Sequence, residues 1–323
     1  MAEPAETRNF FPSLQRNVTP TSSASTVVSY TSNLGHGPIL TLIHGYPQSA
    51  LIWRHVVPAL LNRVSLFIPE LPGYGISTPA AEHSKKVVGL ALLEALQSTI
   101  PSSPTSPRNL ILAGHDRGAR ICHRLVVDQS DLPASLTLVG AIFLDIIPTK
   151  SQWDKFSNPD IAQGYFHWPL LANVELATKM LMAYGGGNWA RDANTRLMGK
   201  SEEARARMMG DGAVDVYAAL FEKEETLRGS CEDYSWGAGR EYREQERDQE
   251  EGRKIGVPLL VMFSKEGLGG RIDVEKEWRD WVAKGVEYEG VAIGPGVGHY
   301  LPEEAHDVVS EKVLEFLGKH GGE

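Results

Sequence analysis

The chain is 323 residues long and carries 32 lysines and arginines against 41 aspartates and glutamates, a formal net charge of −9. That length can bury one large, elaborated core, and the negative balance leaves no basic surface for nucleic acid or anionic lipid. The two cysteines, Cys122 and Cys231, exclude a disulfide scaffold and lack metal-ligand spacing. No apolar run is long enough to span a bilayer, and residues 1–22 are polar and proline-bearing rather than signal-like, so a cytoplasmic protein with reduced thiols is expected.

In chain order, residues 38–43 form an apolar strand pattern that ends in His44-Gly45-Tyr46-Pro47. A glycine there lets the backbone turn so that the N–H of Tyr46 points at a reacting oxygen. Residues 66–69 repeat the pattern and run into Glu70-Leu71-Pro72-Gly73-Tyr74-Gly75, a strand followed by a glycine turn. The serine- and proline-bearing stretch 101–107 reads as a surface loop. An apolar run, 110–113, then enters Gly114-His115-Asp116-Arg117-Gly118, and residues 119–127 leave it with helical spacing. Strand, tight elbow and helix hold up the carboxylate of Asp116 where a serine hydrolase carries its hydroxyl. A hydroxyl needs a base to become a nucleophile, whereas an ionised carboxylate can attack an sp3 carbon directly and form an ester. That chemistry suits alkyl halides and epoxides. The N–H of Arg117, next after the elbow residue, joins that of Tyr46 as a two-donor oxyanion hole.

The run 138–145 is the last strand pattern before a change of texture, and strand signals resume at 257–263. Between them, tryptophan, methionine, alanine and charged residues recur at helical spacing. This predicts a helical cap over the strand ends, where open α/β sheets bind ligands and where a lid excludes water. Gly185-Gly186-Gly187 reads as a flexible break within it, and the mixed-charge stretch 240–254 as a solvated helix face. A strand-like run, 286–293, leads to Gly294-Pro295-Gly296-Val297-Gly298-His299, a loop ahead of the helical pattern 302–317. The chain order of nucleophile, acid, histidine makes His299 the candidate base. The division is therefore 1–148 and 255–323 for an α/β core, and 149–254 for the cap.

Several segments together resemble a known family. They are His44-Gly45-Tyr46-Pro47-Gln48, Leu71-Pro72-Gly73-Tyr74-Gly75, Gly114-His115-Asp116-Arg117-Gly118-Ala119-Arg120, Leu144-Asp145-Ile146-Ile147-Pro148-Thr149, His167-Trp168, Cys231-Glu232-Asp233-Tyr234 and Gly298-His299-Tyr300-Leu301-Pro302-Glu303-Glu304-Ala305. On these the chain is similar to the α/β-hydrolases, and within them it resembles the fluoroacetate dehalogenases. The elbow and the His44 loop are shared with epoxide hydrolases and haloalkane dehalogenases; the two arginines, the His-Trp pair and the Cys-Glu-Asp-Tyr segment are narrower.

The resemblance implies an α/β-hydrolase fold, a mostly parallel sheet flanked by helices with an inserted cap. It implies Asp145 as the acid that orients His299. Many α/β-hydrolases instead place that acid after the next strand, which here offers Glu266 and Asp273. Arg117 and Arg120, at helix spacing after Asp116, are candidates to hold a substrate carboxylate in bidentate geometry, against the alternative of pairing with acidic side chains. His167, Trp168 and Tyr234 can each donate a hydrogen bond to a departing halide. Tyr184 departs from the family, which carries a tryptophan there. With Tyr234 it supplies the two cap tyrosines that epoxide hydrolases use, and the glycines after it suggest a roomier pocket.

The expected reaction is hydrolysis of a small α-substituted carboxylic acid through an Asp116 ester, with epoxide hydrolysis by the same aspartate as the alternative. A ligand-binding protein on a hydrolase scaffold is a third reading. The only partner expected is a small-molecule substrate, with no metal or organic cofactor, nucleic acid or membrane; a homodimer is allowed.

Overall fold

The structure, a computed structural model, describes residues 4–322. Its frame is an eight-stranded sheet of β1 (Gln15–Pro20), β2 (Thr26–Ser32), β3 (Ile39–Ile43), β4 (Ser65–Pro69), β5 (Arg108–His115), β6 (Leu136–Leu144), β7 (Leu259–Ser264) and β8 (Tyr288–Ile293). The spatial order is β1-β2-β4-β3-β5-β6-β7-β8. β1 and β2 are antiparallel, as are β2 and β4, and every other pair is parallel. Strands β3, β4 and β7 are buried along their whole length, the continuous apolar run that a parallel strand covered on both faces requires. The N-terminal hairpin was not announced by sequence, because β1 reads Gln-Arg-Asn-Val-Thr-Pro, a polar edge strand without apolar alternation.

Two features of this order create the site. From β3 the chain moves outward to β4 and then returns to the other side of β3 as β5, so strand order reverses between β3 and β5. Crevices at the carboxyl ends of strands open at such reversals. Register then lines up the neighbouring ends: His115 pairs with Leu144, Leu144 with Met262, and Ser264 with Ile293. Asp116 and Asp145 are consequently the next residues on adjacent strands, and the loop after β8 begins beside them.

Helices occupy the chain from Thr149 to Glu250 before the sheet resumes, ending in the 27-residue helix Glu224–Glu250. Two expectations are corrected here. The stretch 240–254 is not simply a solvated face, since Glu241, Gln245 and Asp248 are buried at helical spacing. They accept from Lys85 N–H at 2.8 Å, Lys150 N–H at 2.8 Å and Arg124 Nη1 at 2.7 Å; the first and last pin the long helix to the core, and the second ties it to the start of the cap. The three glycines are a packed joint rather than a flexible break or added room. Gly185, at φ +95°, joins helix Val174–Tyr184 to helix Gly186–Leu197. A Cβ on Gly186 would lie 1.8 Å from the backbone oxygen of Phe221, so only glycine admits this approach to helix Ala213–Phe221. Among the described residues no helix is long and apolar enough to cross a membrane.

Candidate active site

Asp116 stands between β5 and helix Arg117–Val127 at φ +48°, a conformation that costs a non-glycine residue about 1–3 kcal/mol. The flanking glycines make the elbow possible. A Cβ on Gly114 would lie 2.5 Å from the Gly118 carbonyl carbon, and one on Gly118 2.2 Å from Ile43 O. Gly45 serves the same end across the crevice, where a Cβ would lie 2.6 Å from that of Asp116. The N–H of Tyr46 donates to Asp116 Oδ2 at 2.9 Å. Arg117 is the first residue of its helix, so its own N–H has no intrahelical acceptor and is left for an oxyanion.

His299 Nδ1 lies 2.7 Å from Asp145 Oδ2, which puts the ring proton on Nδ1 and leaves the Nε2 lone pair free. Asp145 Oδ1 accepts from both the N–H and the hydroxyl of Ser264, at 2.7 and 2.8 Å. The alternative carboxylates are engaged elsewhere. Exposed Glu266 accepts from Gly296 N–H at 3.1 Å, and Asp273 caps the helix Val274–Arg279 through Lys276 N–H at 3.1 Å.

The histidine loop is held by a residue that sequence reasoning missed. Buried Glu304 accepts from the N–H groups of Gly298, Tyr300 and Gly199 at 2.6, 3.0 and 2.8 Å, tying the loop to the cap. His299 N–H donates to Leu197 O at 2.9 Å, so the cap backbone braces this histidine directly. The signal available in sequence was an acidic residue in the helix turn that follows His299, where free N–H groups favour it.

A cavity of about 590 Å³ opens above these groups, with Tyr46, Asp116, Arg120, Asp145, His299 and Tyr234 among its walls. His167 and Trp168 also face it. Arg120 donates through Nη1 to Ile147 O at 3.0 Å and Thr149 Oγ1 at 3.1 Å, and lies over the Trp168 ring, 4.5 Å from its centroid. Its Nε is buried without a protein acceptor among the described residues.

Arg117 corrects an expectation. Its Nε and Nη2 are taken by the Oδ2 and backbone carbonyl of Asp233, and its side chain is not part of the cavity wall. Asp233 also accepts from Lys85 and, at 2.9 Å, from the Tyr74 hydroxyl, so the ion pair is closed on every side. Only Nη1 of Arg117 stays unpartnered among the described residues, and the guanidinium lies 4.1 Å from the Tyr234 ring centroid.

Tyr184 is the second correction. It is 54% exposed at the cavity rim and its hydroxyl is held by Asp192, so it does not sit beside Tyr234 as a second donor. Trp189, on the next helix, also lines the cavity and donates its indole N–H to the Tyr46 hydroxyl. The glycine joint sets the phase of this helix, and no local pattern announces that phase.

The electrostatics follow from the packing. Burial pushes Asp116 up, but His299, Arg117, His115 and Arg120 outweigh it and hold the carboxyl below its ordinary value. Burial pushes His299 down, yet its bond to Asp145 and the charges of Asp145 and Asp116 leave it raised. Burial and the neighbouring Arg117 bring Arg120 down to about 10. Burial, then Arg196, lowers His167 to about 3, so its ring is neutral. Arg196 Nη2 lies 3.2 Å from His167 Nδ1, and an arginine only donates, which leaves Nε2–H as the donor of that ring.

A carboxylate kept ionised, an oriented imidazole and backbone donors in one cavity can together carry out attack, ester formation and water activation. Comparison with known proteins agrees in kind. The profile of the alpha/beta hydrolase family matches residues 42–312. A fluoroacetate dehalogenase from Burkholderia sp. is 26% identical over 88% of this chain and 88% of its own length. A soluble epoxide hydrolase from Corynebacterium sp. (strain C12) is 25% identical over 88% of this chain and 91% of its own. Among solved structures, a mutant of a Pseudomonas aeruginosa protein provisionally named an epoxide hydrolase superimposes with a TM-score of 0.83 at 27% identity, covering 97% of this chain and 98% of that one. With a match that spans most of its length, this chain belongs to the alpha/beta hydrolase family and is a hydrolase.

Proposed function

We propose that this hydrolase works through an ester on Asp116 and acts on an α-substituted carboxylic acid. In the first step an Asp116 oxygen displaces halide in line from the α-carbon, while Arg120 holds the substrate carboxylate and His167, Trp168 and Tyr234 receive the halide. In the second, His299, oriented by Asp145, takes a proton from a water that attacks the ester carbonyl, and the N–H groups of Tyr46 and Arg117 receive the oxyanion. Arg117 acts on the substrate only through its charge, from behind the cavity wall, while Asp233 keeps it in place. The observation that supports this reading is that Asp116 and Arg120, whose buried Nε lacks an acceptor, line one cavity. The buried free thiols Cys122 and Cys231 support a reducing, cytoplasmic location.

The same aspartate could open an epoxide, and one observation favours that second reading: Tyr234 and neutral His167 face the cavity as two proton donors, without Tyr184. A panel of haloacetates, haloalkanes and epoxides, assayed for halide and diol, separates the two. Halide release from chloroacetate or fluoroacetate that falls by about 2–4 kcal/mol in specificity in Arg120→Leu is the expected result. Epoxide opening indifferent to Arg120→Leu, with no halide from any acid, replaces the first reading by the second.

A further inference from the structure

A two-carbon acid leaves most of this cavity empty. About 590 Å³ is the size of pockets that bury drug-sized ligands, and such pockets are apolar with a few placed polar groups. Asp116, Arg120 and His299 line it together with the polar groups of His167, Arg196 and Tyr234. Its apolar wall includes Phe166, Leu170, Leu181, Leu197, Met198 and Val297, of which Leu181 and Met198 are buried. Exposed Asp192, Lys200, Glu266 and Arg271 mark where this apolar section meets solvent. The cavity thus joins a nucleophile, Asp116, and a buried cation, Arg120, to a substantial apolar wall.

Resting on the ester reading, we propose that the apolar section is a substrate subsite, and that the substrate is a 2-substituted carboxylic acid bearing a medium-length alkyl or aryl body. The carboxylate lies at Arg120, the α-carbon at Asp116 and the body along Leu181 and Met198. An Asp116 oxygen bonds to the α-carbon as the halide leaves with the electron pair. Water then supplies its oxygen to the ester carbonyl carbon, the ester C–O bond breaks, and a 2-hydroxy acid, halide and one proton are released.

Affinity and turnover test this separately. In unreactive Asp116→Asn, dissociation constants are measured for acetate, butanoate, hexanoate and octanoate, with octanamide as the uncharged control. Each added methylene is expected to tighten binding by about three- to fourfold, the worth of one buried CH₂, and octanamide to bind more weakly than octanoate. Leu181→Ala and Met198→Ala, compared because either alone could disturb the cap, are each expected to loosen octanoate several-fold and leave acetate unchanged. In the wild type, kcat/KM should rise in parallel from chloroacetate to 2-chlorooctanoate. Affinity that does not change with chain length overturns the subsite, and equal affinity for octanoate and octanamide overturns the acid head. Affinity that rises while no chloro acid releases halide supports the subsite and removes the halo-acid reading of the function instead.

Discussion

The strand ends and the cap build their halves of the site by different means. At the strand ends, Asp116 and Asp145 sit one residue beyond paired positions of β5 and β6, at φ +48° and +52°, so backbone register alone sets their separation. In the cap, His167 and Trp168 share one helix while Trp189 and Tyr234 come from two others, and the relative phase of the three depends on glycine contacts and on side-chain ties to the core. The lesson is that the sheet fixes where charge develops, while the cap, free of register, decides what molecule is presented to it. Substitutions at the strand ends should therefore stop the reaction, and substitutions in the cap should change its substrate or its stability.

The largest expected effect lies at the strand ends. His299→Asn should form the ester and fail to hydrolyse it, so the protein gains the substrate's mass at Asp116 and releases one equivalent of halide. Asp145→Asn should slow turnover by roughly 10³- to 10⁴-fold, the scale seen when a triad acid is lost, while Glu266→Gln should stay within about twofold. The reverse ranking would move the orienting acid to the later loop.

Next is the ion pair that joins the two regions. Asp233→Asn leaves Arg117 and Lys85 buried with weakened compensation and is expected to cost about 3–5 kcal/mol of stability by denaturant unfolding. A change below about 1 kcal/mol would mean that the cap is not anchored through Asp233.

A smaller effect concerns pH. Asp116 is held below its ordinary carboxyl value and His299 above the ordinary histidine value, so acidification protonates His299 long before Asp116. At about pH 5, ester hydrolysis should slow by at least about tenfold while ester formation continues, and the ester should accumulate in a stopped single turnover. Equal slowing of both steps would contradict the assignment of separate groups to them. Smallest of all, Tyr184→Phe removes only a rim hydroxyl held by exposed Asp192 and should leave turnover within about twofold. A large loss would bring Tyr184 into the chemistry and favour epoxide opening.

The same division governs how much was legible. The elbow is a local pattern, because Gly114 and Gly118 are required by contacts within a few residues and across β3, and the parallel sheet follows from its apolar runs. Asp145 and Glu266 could not be separated by spacing alone, since the choice turns on how the loop after β8 folds back over β6. The fate of Arg117 was hidden for a similar reason: Asp233, which takes its guanidinium, lies 116 residues away on the long cap helix. That Tyr184 ends at the rim was hidden because a glycine joint, not a periodic pattern, separates its helix from the one that carries Trp189. The N-terminal hairpin escaped because a polar edge strand carries no apolar signature.

The covalent step at Asp116 is tested most directly by a single turnover in heavy-oxygen water. Attack by the carboxylate on carbon, followed by attack of water on the ester carbonyl, places an Asp116 oxygen in the first product and solvent oxygen in the protein. The expected result is an unlabelled first product with label found at Asp116 by mass spectrometry. A first product that carries the solvent label, with Asp116 unlabelled, would show direct attack by water and contradict the ester mechanism.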